Sequence, residues 1–239
     1  MTSAQLIAQA CQDAQQPGFT AQAALKLNMI LSELCQDYDF DAARKTLNFT
    51  LPTATDAFNR ASMNFPADYL RACVNDCFYY ISGVPYKLIS VDLEQFDGLV
   101  SQAGVANFPI YFATDMSQSP PLAYFWMAPS GAYNSVLRYQ AQMADIVTPA
   151  TSAVVPWFPN QNYLLTRLTG ELCKTADDER QESLLSSDED RYPGGAGVIL
   201  RKYLLMKGDP ENRTKNVKLD RRVFGSSFNN LRNTKQVGW

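Results

Sequence analysis

Apolar positions spaced three and four residues apart predict helices near both ends of the chain. The clearest apolar stripe follows Asn160, a residue type that commonly caps a helix N-terminus. Gly208 follows the last stripe, as glycine often does at a helix C-terminus. We predict helices over the following ranges: 3–15, 20–38 with Thr20 as its cap, 92–102, 160–180 and 196–207.

The apolar period changes to two in the middle of the chain, which is typical of half-buried strands. Leu47, Phe49 and Leu51 alternate with Asn48 and Thr50, and residues 135–146 alternate equally well. "SGVP" at 82–85, "DMSQSPP" at 115–121 and "PSGAY" at 129–133 carry turn chemistry. We predict strands at 47–51, 69–80, 86–91, 108–114, 121–128 and 135–146. The last three are short and adjacent, which predicts an antiparallel meander.

This order of elements predicts an α+β fold. Two helices, a block of strands and two further helices indicate a helical bundle of about four helices that carries an inserted antiparallel β-rich domain. We assign residues 1–44 and 157–208 to the bundle and residues 45–156 to the β-rich domain. Residues 209–239 follow neither period, so we expect an extended C-terminal arm.

Charge is distributed unevenly between this arm and the rest of the chain. From Lys215 onward there are six basic residues and one acid, Asp220, a net charge of +5. The chain holds 21 basic and 24 acidic residues in all, so the remainder has 15 and 23, a net charge of −8. An acidic body is a poor DNA binder, whereas a basic arm suits an acidic protein surface or a nucleic acid.

Several classes of chemistry are excluded or disfavoured. The chain has no histidine, so a histidine-dependent triad and a histidine-bearing zinc site are impossible. Its five cysteines are scattered, which favours small buried residues in a reducing compartment over a disulfide framework. The N-terminus lacks signal-peptide character, and no run approaches the ~18 apolar residues of a membrane span. We expect a soluble protein made in a cytoplasm, without a membrane partner.

Acidic clusters at 177–179 and 188–190 are the main candidates for cation binding or acid–base chemistry, although such runs are usually solvated surface. Cys73 and Cys77 could form a metal or redox pair, but buried small residues are the favoured interpretation. "GGAG" at 194–197 precedes a helix and lacks the other parts of a phosphate-binding loop, so we interpret it as a flexible entry turn. We predict no catalytic residue, no metal and no cofactor.

The arm combines arginine with aromatic residues, the types that dominate protein interface hot spots. A disordered solvated tail is the alternative, but such tails have few aromatic residues. We predict a partner-binding arm formed by Arg221, Arg222, Phe224, Phe228, Leu231, Arg232 and Trp239.

Five stretches spread along most of the chain resemble the head-to-tail adaptor (connector) proteins of tailed bacteriophages, especially short-tailed ones. They are "ISGVPYKLISVDLEQFDGL", "FPIYFATDM", "PLAYFWMAPSGAYNSVLRYQAQM", "VPWFPNQNYLLTRLTGELCKTADDER" and "KNVKLDRRVFG". The likeness lies in the order of the stretches and in their residues, and not in a catalytic motif. The Pro-Gly-Gly interruption at 193–195 departs from the longer continuous final helix of that family.

The resemblance implies a structural virion protein at the portal vertex, made in the host cytoplasm. Its copies form a ring, usually a dodecamer, and the C-terminal arm docks on the portal protein. The lower face of the ring receives a nozzle or tail-tube protein. Genome DNA passes through the lumen without specific binding, which the acidic body suits if its acids face the channel.

Two alternatives remain open at this stage. A tail-associated peptidoglycan hydrolase would need two carboxylates because histidine is absent, and its candidates are Glu94, Asp97, Glu171 and Asp178. A nucleic-acid-binding protein would use the basic arm, and its binding would be sensitive to salt.

Overall fold

The computed structural model describes residues 1–56, 60–100 and 108–207. The predicted α+β class is confirmed, with six α-helices and largely antiparallel sheets in this part of the chain. The elements are α1 (Ser3–Asp13), α2 (Thr20–Asp37), β1 (Arg44–Thr50), β2 (Ala61–Asn64), β3 (Tyr69–Ile81), β4 (Val84–Lys87), β5 (Ile89–Ser90), α3 (Leu93–Val100), β6 (Tyr111–Asp115), β7 (Leu122–Trp126), β8 (Asn134–Ala141), α4 (Gln161–Thr175), α5 (Arg180–Leu185) and α6 (Ala196–Lys207).

The chain divides into two compact units. The helical unit consists of Met1–Asp39 and the chain from Asp145 onward, and the β unit is Phe40–Ala144. The corresponding boundaries predicted from the sequence are 44/45 and 156/157. The short helix α3 belongs to the β unit, whereas the helical unit contains α1, α2, α4, α5 and α6.

The helix α4 is the centre of the helical unit, since it packs against α1, α2, α5 and α6. Its Leu164, Leu168 and Leu172 have no accessible surface, and Leu6 of α1 and Leu27 of α2 are equally buried. Full burial of each such side chain contributes about 1.5–3 kcal/mol relative to exposure. The apolar stripes of α1, α2 and α4 are therefore faces that form this core, whereas Met206, predicted to belong to the stripe of α6, is 84% accessible.

The helix starts show which capping predictions hold. Asn160 caps α4 as predicted, because its side-chain oxygen accepts a hydrogen bond of 3.0 Å from the backbone N–H of Tyr163. The prediction for Thr20 is wrong. A short 3-10 turn, Pro17–Phe19, precedes α2, and the Thr20 hydroxyl donates to the Pro17 carbonyl instead of capping.

The segment that returns to the helical unit after the β unit is held by hydrogen bonds from α1 and α2. The Asn28 side chain donates to the Ile146 carbonyl and accepts from the Ile146 N–H, at 3.2 and 3.1 Å. The N–H groups of Ser3 and Ala4 donate to the carbonyls of Val154 and Ser152. These bonds satisfy first-turn N–H groups of α1, which have no partner within their own helix.

The β unit contains two four-stranded sheets, ordered β1-β8-β3-β4 and β2-β7-β6-β5. The predicted meander is wrong in one respect. The strands β6 and β7 pair as expected, but β8 lies in the other sheet and pairs with both β1 and β3. The chain between β7 and β8 therefore passes from one sheet to the other. The short strand β5 pairs with β6 in parallel.

The two sheets share one core. Leu137 of the first sheet and Phe112 and Phe125 of the second are at most 1% accessible, and Phe65 joins them from the segment between β2 and β3. The Phe125 ring lies 6.2 Å from that of Phe112 and 6.4 Å from that of Phe65. Buried aromatic residues from both sheets thus hold them face to face.

A tight turn joins β3 to β4 at the position predicted from "SGVP". Ser82 and Gly83 have φ values of +50° and +82°, as a two-residue hairpin turn of type I′ requires. All four residues of β4, including Pro85, are exposed, and the strand lies at the edge of its sheet.

Several predicted boundaries need correction. The helix α4 ends at Thr175 and not at 180, and the separate helix α5 follows it. The strand β2 was not predicted, and β8 ends at Ala141 and not at 146. Gly208 and the predicted arm lie outside the described residues.

The glycine run before α6 packs against the segment that follows α5. A Cβ on Gly195 would fall against the carbonyl oxygen of Ser186 and 3.2 Å from that of Ser183, whereas one on Gly194 would have nothing within 4 Å. The predicted flexible turn is therefore closely packed at Gly195. The Gly197 N–H also donates to the Ser186 carbonyl, at 3.1 Å.

We predict that Gly195→Ala lowers the free energy of unfolding by about 1–3 kcal/mol, because backbone atoms must shift to admit the methyl group. The neighbouring Gly194→Ala is the matched control and should change it by less than about 0.5 kcal/mol. Urea denaturation followed by far-UV circular dichroism measures both. Equal stability of the two variants would contradict the packing described here.

Candidate functional site

The seven residues predicted to form the partner-binding arm lie outside the described residues. They are Arg221, Arg222, Phe224, Phe228, Leu231, Arg232 and Trp239. The remaining candidates from the sequence are carboxylates and cysteines, and each has a defined place in the structure.

Glu171 lies within the helical unit, where two cations bind it. Its side chain is 11% accessible, and its oxygens lie 3.3 Å from Lys26 Nζ and 3.1 Å from Arg167 Nη2. The same Arg167 nitrogen is 3.4 Å from Glu33. Both oxygens of Glu171 therefore face cationic donors from α2 and α4, an arrangement suited to holding two helices together.

Asp178 lies between α4 and α5 and is bound by one arginine. The Arg180 side chain donates to it at 2.7–3.1 Å, and the Arg180 backbone N–H donates at 2.9 Å. These hydrogen bonds from Arg180 hold the Asp178 pKa below its ordinary value of 3.8. A general acid of a glycosidase requires a raised pKa, so the environment of Asp178 has the opposite effect.

Arg180 also connects the start of α5 with the end of α1. Its guanidinium donates to the backbone carbonyls of Asp13 and Ala14, at 3.1 and 3.3 Å. A small cavity of about 230 Å³ opens beside it, where the buried Thr169 hydroxyl has no hydrogen-bond partner among the described residues. The polar groups here connect helices at a packing junction.

Glu94 and Asp97 lie on α3 in the β unit, apart from the other two carboxylates along the chain. Glu94 is exposed, and Asp97 lies 3.6 Å from Arg60 Nη1. Arg60 also pairs with Asp56, and its guanidinium lies 4.6 Å from the centre of the Tyr124 ring. The arginine thereby connects α3 to the segment before β2.

The acidic clusters are involved in local structure. Glu189 lies 2.9 Å from Lys202 Nζ, and Asp188 accepts hydrogen bonds from the backbone N–H groups of Asp190 and Arg191. Within the described ranges, no group of three or more Cys, Asp or Glu side chains is placed to hold a metal ion.

All five cysteines are buried, and none of them forms a disulfide in the described part of the chain. Burial raises the pKa of Cys77 to about 12, which keeps the thiol protonated near neutral pH. Cys73 accepts a long hydrogen bond of 3.9 Å from the Gln140 side chain. The ladder between β3 and β8 changes register between Ala72 and Cys77.

An open concavity on the β unit was not predicted from the sequence. Its volume is about 690 Å³, and its polar lining side chains come from β1, β3, β8 and the β3–β4 turn. The exposed ones are Asn48, Thr50, Tyr80, Ser82 and Asn134, and the buried Ser135 also lines it, with its hydroxyl donating to the Tyr133 carbonyl at 3.2 Å. Because strand pairing brings them together, no local sequence pattern could have identified them as one site.

Large apolar side chains are exposed on the helical unit. Leu25 and Met29, one turn apart on α2, are 69% and 54% accessible, and Val147 is 81% accessible. Val147 follows Ile146, whose backbone is bound by Asn28 on the same helix. Exposed apolar side chains grouped in this way commonly mark contact surfaces.

The comparisons with known proteins leave the chain without an assigned family. No protein-family model matches the chain, and no curated protein sequence matches it. Among the described residues, no helix is both long enough and apolar enough to cross a membrane.

We predict that Arg180→Ala raises the pKa of the Asp178 carboxyl towards its ordinary value, since the lowering comes chiefly from Arg180. Carboxyl NMR titration measures the change. Arg191→Ala is the control, because Arg191 pairs with Glu182 and both side chains are 65% accessible; it should leave the Asp178 pKa unchanged.

The direction of this pKa shift determines how the contribution of Asp178 to folding stability changes with pH. Because folding lowers the pKa, Asp178 favours the folded state above its ordinary pKa, and that contribution is lost as the pH falls through the lowered value. An Asp178 pKa above 3.8 in the native protein would contradict the geometry.

Proposed function

We propose that this chain is a head-to-tail adaptor of a short-tailed bacteriophage: a structural virion protein that docks under the portal and bridges it to the tail. The observation that carries the proposal is the resemblance of five sequence stretches, spread along most of the chain, to adaptor proteins. The proposed partners are the portal protein, a nozzle or tail-tube protein, and further copies of the chain in a dodecameric ring.

The arrangement of the chain supports this role. The helical unit is formed from both ends of the described chain, and the β unit lies between them in sequence. We propose that the helices of the helical unit form the bundle of an adaptor and that the β unit is its insertion. The exposed Leu25, Met29 and Val147 offer the helical unit an apolar surface for contact with other chains.

The charge distribution supports a channel without specific DNA binding. The chain before Lys215 has a net charge of −8, and DNA is held chiefly by Lys and Arg contacts to phosphate. We propose that acids of this body face the lumen, so that the genome passes without adhering. The protein would be made in the host cytoplasm and reside in the virion at the portal vertex.

A non-enzymatic role agrees with the surroundings of three of the four carboxylates from which the hydrolase hypothesis would draw its catalytic pair. Glu171, Asp178 and Asp97 are engaged by cationic side chains. Glu94 and Asp97 lie in the β unit, and Glu171 and Asp178 lie in the helical unit. The geometry therefore favours structural roles for three of these candidates.

We expect deletion of residues 215–239 to leave a folded protein that no longer binds portal-bearing heads. The deletion removes the seven arm residues that we propose to dock on the portal, including the arginine and aromatic side chains typical of hot spots. Light scattering with and without purified portal protein measures both binding and the number of copies bound, and circular dichroism checks the fold.

Two point-substituted proteins sharpen this test. Phe224→Ala combined with Phe228→Ala should weaken portal binding by about tenfold or more, as loss of hot-spot side chains does. Ser226→Ala combined with Ser227→Ala alters the intervening residues and should bind normally. Normal attachment of the truncated protein would refute the docking arm.

We also expect no clearing zone when the purified protein is renatured in a gel containing peptidoglycan. A known lysozyme in a neighbouring lane shows that the gel detects hydrolysis. A clearing zone that a single Glu94→Gln or Glu171→Gln substitution abolishes would establish the hydrolase alternative instead.

A further inference from the structure

The concavity on the β unit is built by a row of side chains across neighbouring strands. The ladder pairs Thr50 of β1 with Asn134 of β8. It also pairs Tyr79 of β3 with Ser135, so the next position, Tyr80, comes beside Asn134. With neighbouring strands about 4.8 Å apart, the row from Thr50 to Tyr80 spans roughly 10 Å.

This row lies on the face of the sheet that points away from the shared core. Leu47 and Phe49 of β1 pack against the core cluster, so the alternate residues Asn48 and Thr50 point to the other face. Both are exposed, and the half-buried Val136 lies between their strand and β3. The site is therefore an accessible surface with an apolar floor and a polar rim.

The lining residues that the structure describes carry no charge. They offer two amides, Asn48 and Asn134, and the hydroxyls of Thr50, Ser82 and Tyr80. Within the part of the chain that the structure describes, the side chains of these residues make no hydrogen bond to another protein group. Their donors and acceptors are thus available to a ligand.

Tyr80 adds an aromatic surface to the rim, with 39% of the residue accessible. A tyrosine combines an apolar ring with a hydroxyl that donates and accepts hydrogen bonds. Among the described residues, the lining offers no cation for an anionic ligand and no carboxylate for a metal ion. It suits a neutral molecule that has many hydroxyl groups and an apolar face.

We propose that this concavity binds a neutral saccharide. The amides of Asn48 and Asn134 hydrogen-bond sugar hydroxyls, and the Tyr80 ring packs against the C–H face of a pyranose. The roughly 10 Å row accommodates one or two sugar rings. This activity goes beyond the proposed adaptor role and does not depend on it. The residues that line the concavity belong neither to the arm nor to the exposed apolar surface of the helical unit.

The test is a titration of the isotope-labelled full-length chain with three neutral oligosaccharides, each used separately: maltotetraose, cellotetraose and tetraacetylchitotetraose. We expect at least one of them to shift backbone amide signals of residues 48–50, 80–83 and 134–136. Saturation transfer from protein to sugar provides an independent measure of contact.

Matched substitutions locate the site. Tyr80→Ala and Asn134→Ala should each weaken binding by about tenfold, the effect of losing one good contact. Tyr86→Ala is the control, because Tyr86 is 45% accessible but does not line the concavity; its affinity should match that of the unsubstituted chain. Thermal melting checks that each variant is folded, and Asn48→Ala replaces any that is not.

The proposal is overturned if none of the three sugars binds at about millimolar concentration, the weak end of specific affinities. It is equally overturned if the shifted signals lie elsewhere, or if Tyr86→Ala weakens binding as much as Tyr80→Ala. A protein that binds sugar at the concavity but does not bind portal would support this site and refute the adaptor role, so the two proposals fail separately.

Discussion

The helical unit depends on hydrogen bonds that join parts of the chain separated by more than a hundred residues. Asn28 binds both backbone groups of Ile146, and the first turn of α1 donates to Ser152 and Val154. These bonds supply partners for backbone groups of residues 145–160, the segment that returns to the helical unit and that forms no helix or strand of its own. The apolar face of α4 can then pack against α1 and α2, and burial of each of its leucines contributes about 1.5–3 kcal/mol relative to exposure.

Charged side chains in this protein act mainly as connectors. Arg167 bridges Glu33 and Glu171, Arg180 connects Asp178 with the end of α1, and Arg60 joins α3 to the segment before β2. Each arginine uses several donors of a planar group, so one side chain can fix two elements. Three of the four carboxylates named as candidate acids, Asp97, Glu171 and Asp178, are acceptors in these connections.

Features that depend on neighbouring residues in the chain could be predicted from the sequence. Features that depend on contacts between distant residues could not. The Asn160 cap and the Ser82–Gly83 turn were predicted because both follow from local backbone geometry. The alternation of apolar and polar residues in β8 indicated a strand. Its position between β1 and β3 depends on pairing with strands that are distant in sequence, which the alternation does not specify. Helix α5 is too short to display a full stripe, and the concavity exists only because pairing brings Asn48 and Asn134 together.

Pro85 lies in the exposed edge strand β4 and has no backbone N–H. A strand from another copy that tried to extend the sheet would therefore find a donor missing in the middle of its ladder. This matters for a chain proposed to gather in many copies at one place, where high local concentration favours unwanted sheet growth. At this edge of the sheet, the missing N–H disfavours the addition of a further strand.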